Sequence, residues 1–218
     1  MAKTFTQTGR TTHFCVISLV VWQILCTFVA MKVYLNDDLA HFDLEAALPL
    51  LSEQRREQCL RFKHEQGRRE CAAAYLLLRQ ALREQYAITE PPVFSYGEHG
   101  KPAIVGLPHV HFNLSHCRQA AICVVSDSPV GIDIESIGRY KESLVAYTMN
   151  DDEQALITQA AEPEEAFIRL WTQKEAVLKL TGEGISRDLK LVLTGFPCQI
   201  ETVACPQKGY VYSVARQH

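Results

Sequence analysis

The sequence has no Cys-X-X-Cys pair, no strong net charge and no phosphate-cradling glycine loop, and each absence removes a class of protein. Its eight cysteines, Cys15, Cys26, Cys59, Cys71, Cys117, Cys123, Cys198 and Cys205, are too scattered to frame a structural zinc site. Several lie in apolar stretches, where a free thiol acts as a small hydrophobe, so they read as reduced and structural in a cytoplasmic protein. A formal net charge of −3 gives no global attraction for nucleic acid. Without a Gly-X4-Gly-Lys-Ser/Thr sequence there is no P-loop, and without Gly-X-Ser-X-Gly there is no hydrolase elbow. Gly182-Glu183-Gly184 follows a helical pattern instead of opening one, so it is no dinucleotide loop.

What is present is an ordinary globular composition, 47% hydrophobic and 22% charged over 218 residues. A chain of that length buries enough surface to need no metal or disulfide staple. Residues 14–31 carry no charge. They are barely long enough to span a bilayer, with Lys3 and Arg10 ahead of them. A membrane anchor and a signal peptide are both open readings. The favoured one is that 1–30 is a hydrophobic extension outside the working domain, because Met31-Lys32-Val33-Tyr34-Leu35 reads as an initiator and a first strand.

Beyond it, a helix is expected around Leu44 to Leu51, and Ser52 is a fitting N-cap for a basic segment containing Arg55 and Arg56. The main helix of the first half should run from about Arg69 to Tyr86 and stop before Pro91-Pro92. Strands are expected at Val93–Tyr96, Val110–His116, Ala120–Ser126 and Val130–Glu135, then late in the chain at Leu189–Leu193, Gln199–Val203 and Tyr210–Ala215. The second main helix runs from Phe167 to Leu180 and exits at Gly182. Strands joined by turns favour an α+β fold over a doubly wound sheet. The division is 31–128 and 129–218, two similar halves each with a small, mostly antiparallel sheet on a main helix.

Asp133 and Glu135 alternate along a strand, so both carboxylates share a face while Ile132 and Ile134 turn to the core. Adjacent like charges repel unless a divalent cation joins them, and Mg²⁺ favours such oxygen ligands. Glu175, on the second main helix, is the third carboxylate, and Lys174 and Lys179 flank it as phosphate ligands. His116, at a strand end, is another phosphate ligand; a zinc site at His109, His111 and His116 is disfavoured because no acid or thiol nearby has ligand spacing.

Four motifs occur in order: Gly100-Lys101-Pro102, Phe112-Asn113-Leu114-Ser115-His116, Gly131-Ile132-Asp133-Ile134-Glu135, and Trp171-Thr172-Gln173-Lys174-Glu175-Ala176-Val177-Leu178-Lys179. Together, over roughly 31–215, they resemble the signature motifs of the 4′-phosphopantetheinyl transferases, of the long surfactin-synthetase-activating type. The resemblance implies a pseudo-dimeric α+β fold with coenzyme A bound between the halves. It implies transfer of the phosphopantetheine arm to a serine of an apo acyl- or peptidyl-carrier protein. It assigns Asp133, Glu135 and Glu175 to Mg²⁺; Lys101, Ser115, His116, Lys174 and Lys179 to coenzyme A; and Arg55 and Arg56 to its nucleotide end. Glu175 would be the general base and Lys179 the stabiliser of the leaving group. Gln58 and Glu70 depart from the pattern, standing where a Lys and an Arg are often found. The competing readings are a membrane-anchored interaction protein without catalysis and a Mg²⁺-dependent phosphohydrolase. A soluble, cytoplasmic monomer that binds no nucleic acid is the expectation.

Overall fold

The computed structural model describes residues 31–138, 141–184, 188–194 and 196–217. The hydrophobic stretch at 14–30, with the anchor and start-site readings that fall on it, lies outside them. Among the described residues, no helix is long and apolar enough to cross a membrane.

The architecture is α+β, with two three-stranded antiparallel sheets each carrying one long helix. In the first lobe β1 (Lys32–Asn36) and β4 (His111–His116) flank β5 (Ala121–Ser126). Helix α3 (Glu65–Tyr86) packs on that sheet, and α1 (Leu44–Ala47) and α2 (Glu53–Leu60) pack in turn on α3. A separate hairpin pairs β2 (Phe94–Tyr96) with β3 (Pro102–Ile104). In the second lobe β6 (Val130–Ser136) and β7 (Gln199–Cys205) flank β8 (Tyr210–Arg216). Helix α6 (Pro163–Thr181) lies across β6 and β8, with α4 (Glu142–Thr148) and α5 (Asp151–Gln159) preceding it.

The strand β5, Ala-Ile-Cys-Val-Val, is apolar without alternation because both of its faces are buried. Ala121, Cys123 and Val125 pack against Leu77, Leu78, Ala81 and Leu82 of α3. Ile122 and Val124 join Val130, Ile132, Ile134, Tyr210 and Val214 in the cluster shared by the two lobes. The alternation of β6 then leaves Gly131, Asp133 and Glu135 on the side of α6.

Two elements differ from the sequence expectation. Leu189–Leu191 is a 3-10 turn and not a strand, because the Asp188 side chain accepts from Lys190 N and starts a helical turn. The turn expected at Gly97 to Pro102 is present, with Gly100 at φ 79°, but its last residue opens a strand that was not expected, Pro102–Ile104, which pairs with β2.

Candidate active site

The site is built where the β4 edge of the first sheet meets the β6 edge of the second. No ladder joins these edges; side chains do. Asn113 Oδ1 accepts from Ile132 N at 3.2 Å, and Ser115 Oγ accepts from Ile134 N at 3.3 Å. The alternating Asn-X-Ser of β4 thus caps two edge N–H groups that would otherwise be buried without partners. Ser115 Oγ in turn donates to Asp133 Oδ1 at 2.8 Å.

Helix α6 supplies the third wall. It approaches β6 so closely that a Cβ on Gly131 would lie 2.0 Å from the Ala176 carbonyl oxygen. That contact sets Lys179 over the strand. Its Nζ lies 2.6 Å from Asp133 Oδ1 and 3.0 Å from Ser115 Oγ. Asp133 is 4% exposed, and its second oxygen, Oδ2, is buried with no hydrogen-bond partner among the described residues. A buried carboxylate oxygen left unmatched is costly, so it is a place where a ligand is wanted.

A cavity of about 260 Å³ opens beside this cluster, lined by Asn113, Leu114, Glu175, Leu178, Lys179 and, from the β2–β3 loop, His99 to Pro102. Lys101 crosses from the first lobe to the second. Its Nζ donates to the Leu180 carbonyl at 2.9 Å, capping the C-terminal end of α6, and burial pushes its pKa down. Gly182, at φ 73°, closes the helix against the stem of Lys101.

The expected residues therefore divide. Lys101, Glu175 and Lys179 line the cavity, with Ser115 and Asp133 bonded to Lys179 at its edge. His116 stands apart, its Nδ1 3.1 Å from Glu70 Oε2. Burial works to raise the Glu70 pKa, but His116 and the Gln66 amide beside it hold the carboxyl below its usual value. Arg55 is half-buried, its guanidinium over the rings of Tyr75 and Phe94 at 5.3 and 5.5 Å, and Arg56 is exposed on α2; neither lines the cavity. Lys174 is a correction. It is 0% exposed, and its Nζ is committed to Glu153 at 2.8 Å and the Leu189 carbonyl at 2.7 Å, so it does not face the cavity. Asn113 was missed as a site residue, although its alternation with Ser115 on one strand face was the available signal.

Among the described residues no group of three or more His, Cys, Asp or Glu converges closely enough to hold a metal by itself. His109 rests against Tyr86 while His116 faces Glu70, so the histidines do not form a site together. For Mg²⁺ a closed protein cage is not required, since the ion is commonly held by one or two carboxylates with waters and substrate phosphates. The orphaned Oδ2 of Asp133 fits that requirement.

Comparison with known proteins agrees with this geometry. Residues 129–205 match the family model of the 4′-phosphopantetheinyl transferase superfamily. The chain is 38% identical over 158 residues to the 4′-phosphopantetheinyl transferase psf-1 of Bacillus pumilus, covering 71% of this chain and 68% of that protein. It is 30% identical over 204 residues to the 4′-phosphopantetheinyl transferase Sfp of Bacillus subtilis, covering 85% of this chain and 91% of that one. A third relative, the 4′-phosphopantetheinyl transferase HetI of a Nostoc species, is 30% identical over 164 residues, 70% of this chain and 69% of its own. With relatives matched across both lobes and over most of their own length, the chain belongs to the 4′-phosphopantetheinyl transferase superfamily.

Proposed function

We propose that this enzyme transfers the 4′-phosphopantetheine group of coenzyme A to a serine of an apo acyl- or peptidyl-carrier protein. The carrying observation is the cluster of Asp133, Ser115 and Lys179 at the cavity edge, in which a buried carboxylate has one oxygen bonded to an ammonium and the other without a hydrogen-bond partner among the described residues. In the reaction a bond forms between the serine oxygen and the β-phosphorus. The bond from that phosphorus to the bridging oxygen breaks, and adenosine 3′,5′-bisphosphate leaves with the electron pair.

Asp133, Glu135 and Glu175 would hold Mg²⁺ only together with waters and the substrate's phosphates, and the ion when bound would draw charge from the pyrophosphate. Glu175 takes the serine proton as general base, because a hydroxyl is a poor nucleophile until its proton is removed. Lys179 stabilises negative charge growing on the departing bisphosphate. Ser115 and the Asp133 carboxylate fix the Lys179 ammonium for that role. Lys101 and His116 are the proposed contacts to the phosphates of coenzyme A, and Arg56, exposed on α2, is the better placed of the two α2 arginines for the nucleotide end. The lobes 31–128 and 129–218 act as the halves of a pseudo-dimer. Both contribute walls to one cavity, so a monomer in the cytoplasm suffices.

The test is incubation with coenzyme A with and without apo-carrier, read as a mass gain on the carrier. Transfer that needs the carrier supports the reading; coenzyme A breakdown without carrier would instead indicate a phosphohydrolase. Glu175→Gln and Asp133→Ala should each lower transfer of a fluorescent coenzyme A label by about 10² or more. Near-normal rates in both variants would overturn the assigned site.

A further inference from the structure

Along β4, Phe112, Leu114 and His116 alternate away from Asn113 and Ser115. Phe112 is buried against α3, and Leu114 both packs on that core and lines the cavity. His116 follows on the same face, about 7 Å further along the strand. There its ring meets Glu70 of α3, with Nδ1 3.1 Å from Oε2. The Glu70 side chain is only 16% exposed, and its other oxygen accepts from Gln66 Nε2 at 2.9 Å. Gln66, one helical turn earlier, also donates to the Arg118 carbonyl at 2.9 Å, so the carboxylate is tied to the turn that follows β4.

A carboxylate at that distance decides where the ring carries its hydrogen. A bare Nδ1 would set its lone pair against those of Oε2, so Nδ1 is protonated. Because Nδ1 is buried, the exposed edge of the ring, with Nε2, lies on the side away from Glu70. With Nδ1 protonated, Nε2 is an acceptor in the neutral ring and a donor only in the imidazolium. An ionised phosphate needs donors, and a carboxylate behind the ring favours the charged form that supplies one. The other charged groups on adjoining elements are Arg69, bonded to Glu65 and the Ala40 carbonyl, Lys179, bonded to Asp133 and Ser115, and Arg118, exposed on the turn.

We propose that Glu70 is a positioning residue for coenzyme A recognition: it holds Nδ1 of His116 so that an N–H at Nε2 faces a phosphate of the substrate, and it touches no substrate itself. The inference rests on the transferase reading of the neighbouring cavity. Placed directly against a phosphate, the Glu70 carboxylate would repel it; placed behind the imidazole, it strengthens the donor.

A double-variant cycle separates action through His116 from any other. Wild type, Glu70→Gln, His116→Ala and the double variant are compared for Tm, carrier-dependent kcat and KM for coenzyme A. His116→Ala should raise KM about tenfold with kcat within about twofold, the pattern of a contact made equally in ground and transition states. Glu70→Gln keeps the side-chain shape and should raise KM about fivefold. In the double variant KM should stay near that of His116→Ala alone, since Glu70 then has nothing to orient. The ring-nitrogen NMR signals of His116 add a readout independent of activity, and in wild-type protein Nδ1 should carry a hydrogen. Dephospho-coenzyme A assigns the phosphate within the proposal: a Glu70 effect that vanishes with it marks the 3′-phosphate, and one that persists marks the pyrophosphate.

An unchanged or lowered KM in Glu70→Gln would overturn the inference. So would the same effect repeated in the His116→Ala background, or an unprotonated Nδ1 in the wild type. If His116→Ala fails to fold, Glu70→Gln and the nitrogen signals decide. Absence of transfer by the wild type would instead defeat the transferase reading itself.

Discussion

Gly131 brings a sheet and a helix into backbone contact. A methyl group there would meet the Ala176 carbonyl oxygen at 2.0 Å and Leu180 N at 2.5 Å, and neither backbone atom can step aside. Gly131→Ala should therefore cost about 3 kcal/mol or more, the upper end for overpacking, and displace α6 with Glu175 and Lys179 on it. Urea unfolding would show the loss as a lowered midpoint, and activity should fall even in the fraction that remains folded. A variant as stable and active as wild type would mean that helix and strand are not this close. The carboxylates of the same motif were legible in the sequence, because strand alternation alone separates Asp133 and Glu135 from Ile132 and Ile134. The burial of Lys174 was not. Its partner Glu153 belongs to another helix, and nothing local distinguishes a lysine that faces a ligand from one that braces a turn. His116 was equally opaque, since Glu70 meets it only when α3 packs beside the end of β4.

At the scale of elements, helix interiors were easier to read than their ends. The stop of α3 at Tyr86 agrees with the expectation, while its start lies at Glu65 and not near Arg69; the chain turns at Ala87, at φ 56°, whose N–H and that of Ile88 both return to the Leu82 carbonyl. The prolines advertise a break, while the hydrogen-bonded cap that makes one has no residue signature when alanine occupies the left-handed position. The 189–191 turn was misread for a related reason. Leu-Lys-Leu-Val-Leu alternates like a strand, whereas the deciding interaction is the preceding Asp188 cap. Left-handed backbone strains a residue with a Cβ by about 1–2 kcal/mol. Glycine in its place costs about 0.4–1 kcal/mol through the greater freedom of the unfolded chain. The strain is the larger quantity, so Ala87→Gly should stabilise by roughly 0.5 kcal/mol and raise Tm by about 1–2 °C. Calorimetry would register the shift, and an unchanged or lowered Tm would show that the left-handed turn is not strained. Transfer activity should not change, since neither Ala87 nor Ile88 lines the cavity.

For the whole molecule the question is what keeps the lobes in register across the cavity. Ile122, Val124, Val130, Ile132 and Ile134 are each 1% exposed or less in the shared cluster, and at about 1.5–3 kcal/mol per side chain their burial contributes roughly 10 kcal/mol. The unbroken apolar run of β5 announced a strand covered on both sides, but what covers the second side depends on β6 and β8 folding over it. A polar tie runs beside this cluster: Asp37 Oδ2 at the end of the first lobe's β1 accepts from Lys208 Nζ and from the Tyr210 hydroxyl of the second lobe. The Lys208 ammonium holds the Asp37 carboxyl below its usual value, and Asp37 raises Lys208 in return. A lowered carboxyl pKa stabilises the fold above the unfolded value, near 3.8, and that contribution is lost as pH falls through the lower folded value. A raised ammonium pKa stabilises below the unfolded value of 10.5, with loss as pH climbs through the higher folded one. The tie therefore operates between about pH 4 and about pH 10.5. Asp37→Asn removes the charge but still offers an oxygen to Tyr210, which isolates the ion pair. Because Lys208 is half-exposed, the pair is weak beside the apolar cluster, and the variant should melt only about 1–2 °C below wild type at pH 7. That gap should shrink as pH falls below about 3.8 and close only once wild-type Asp37 is protonated, below its lowered folded value, and it should also shrink in high salt. A much larger loss at pH 7, or a gap that persists undiminished in acid, would mean that Asp37 supports the lobe seam by some means other than its charge.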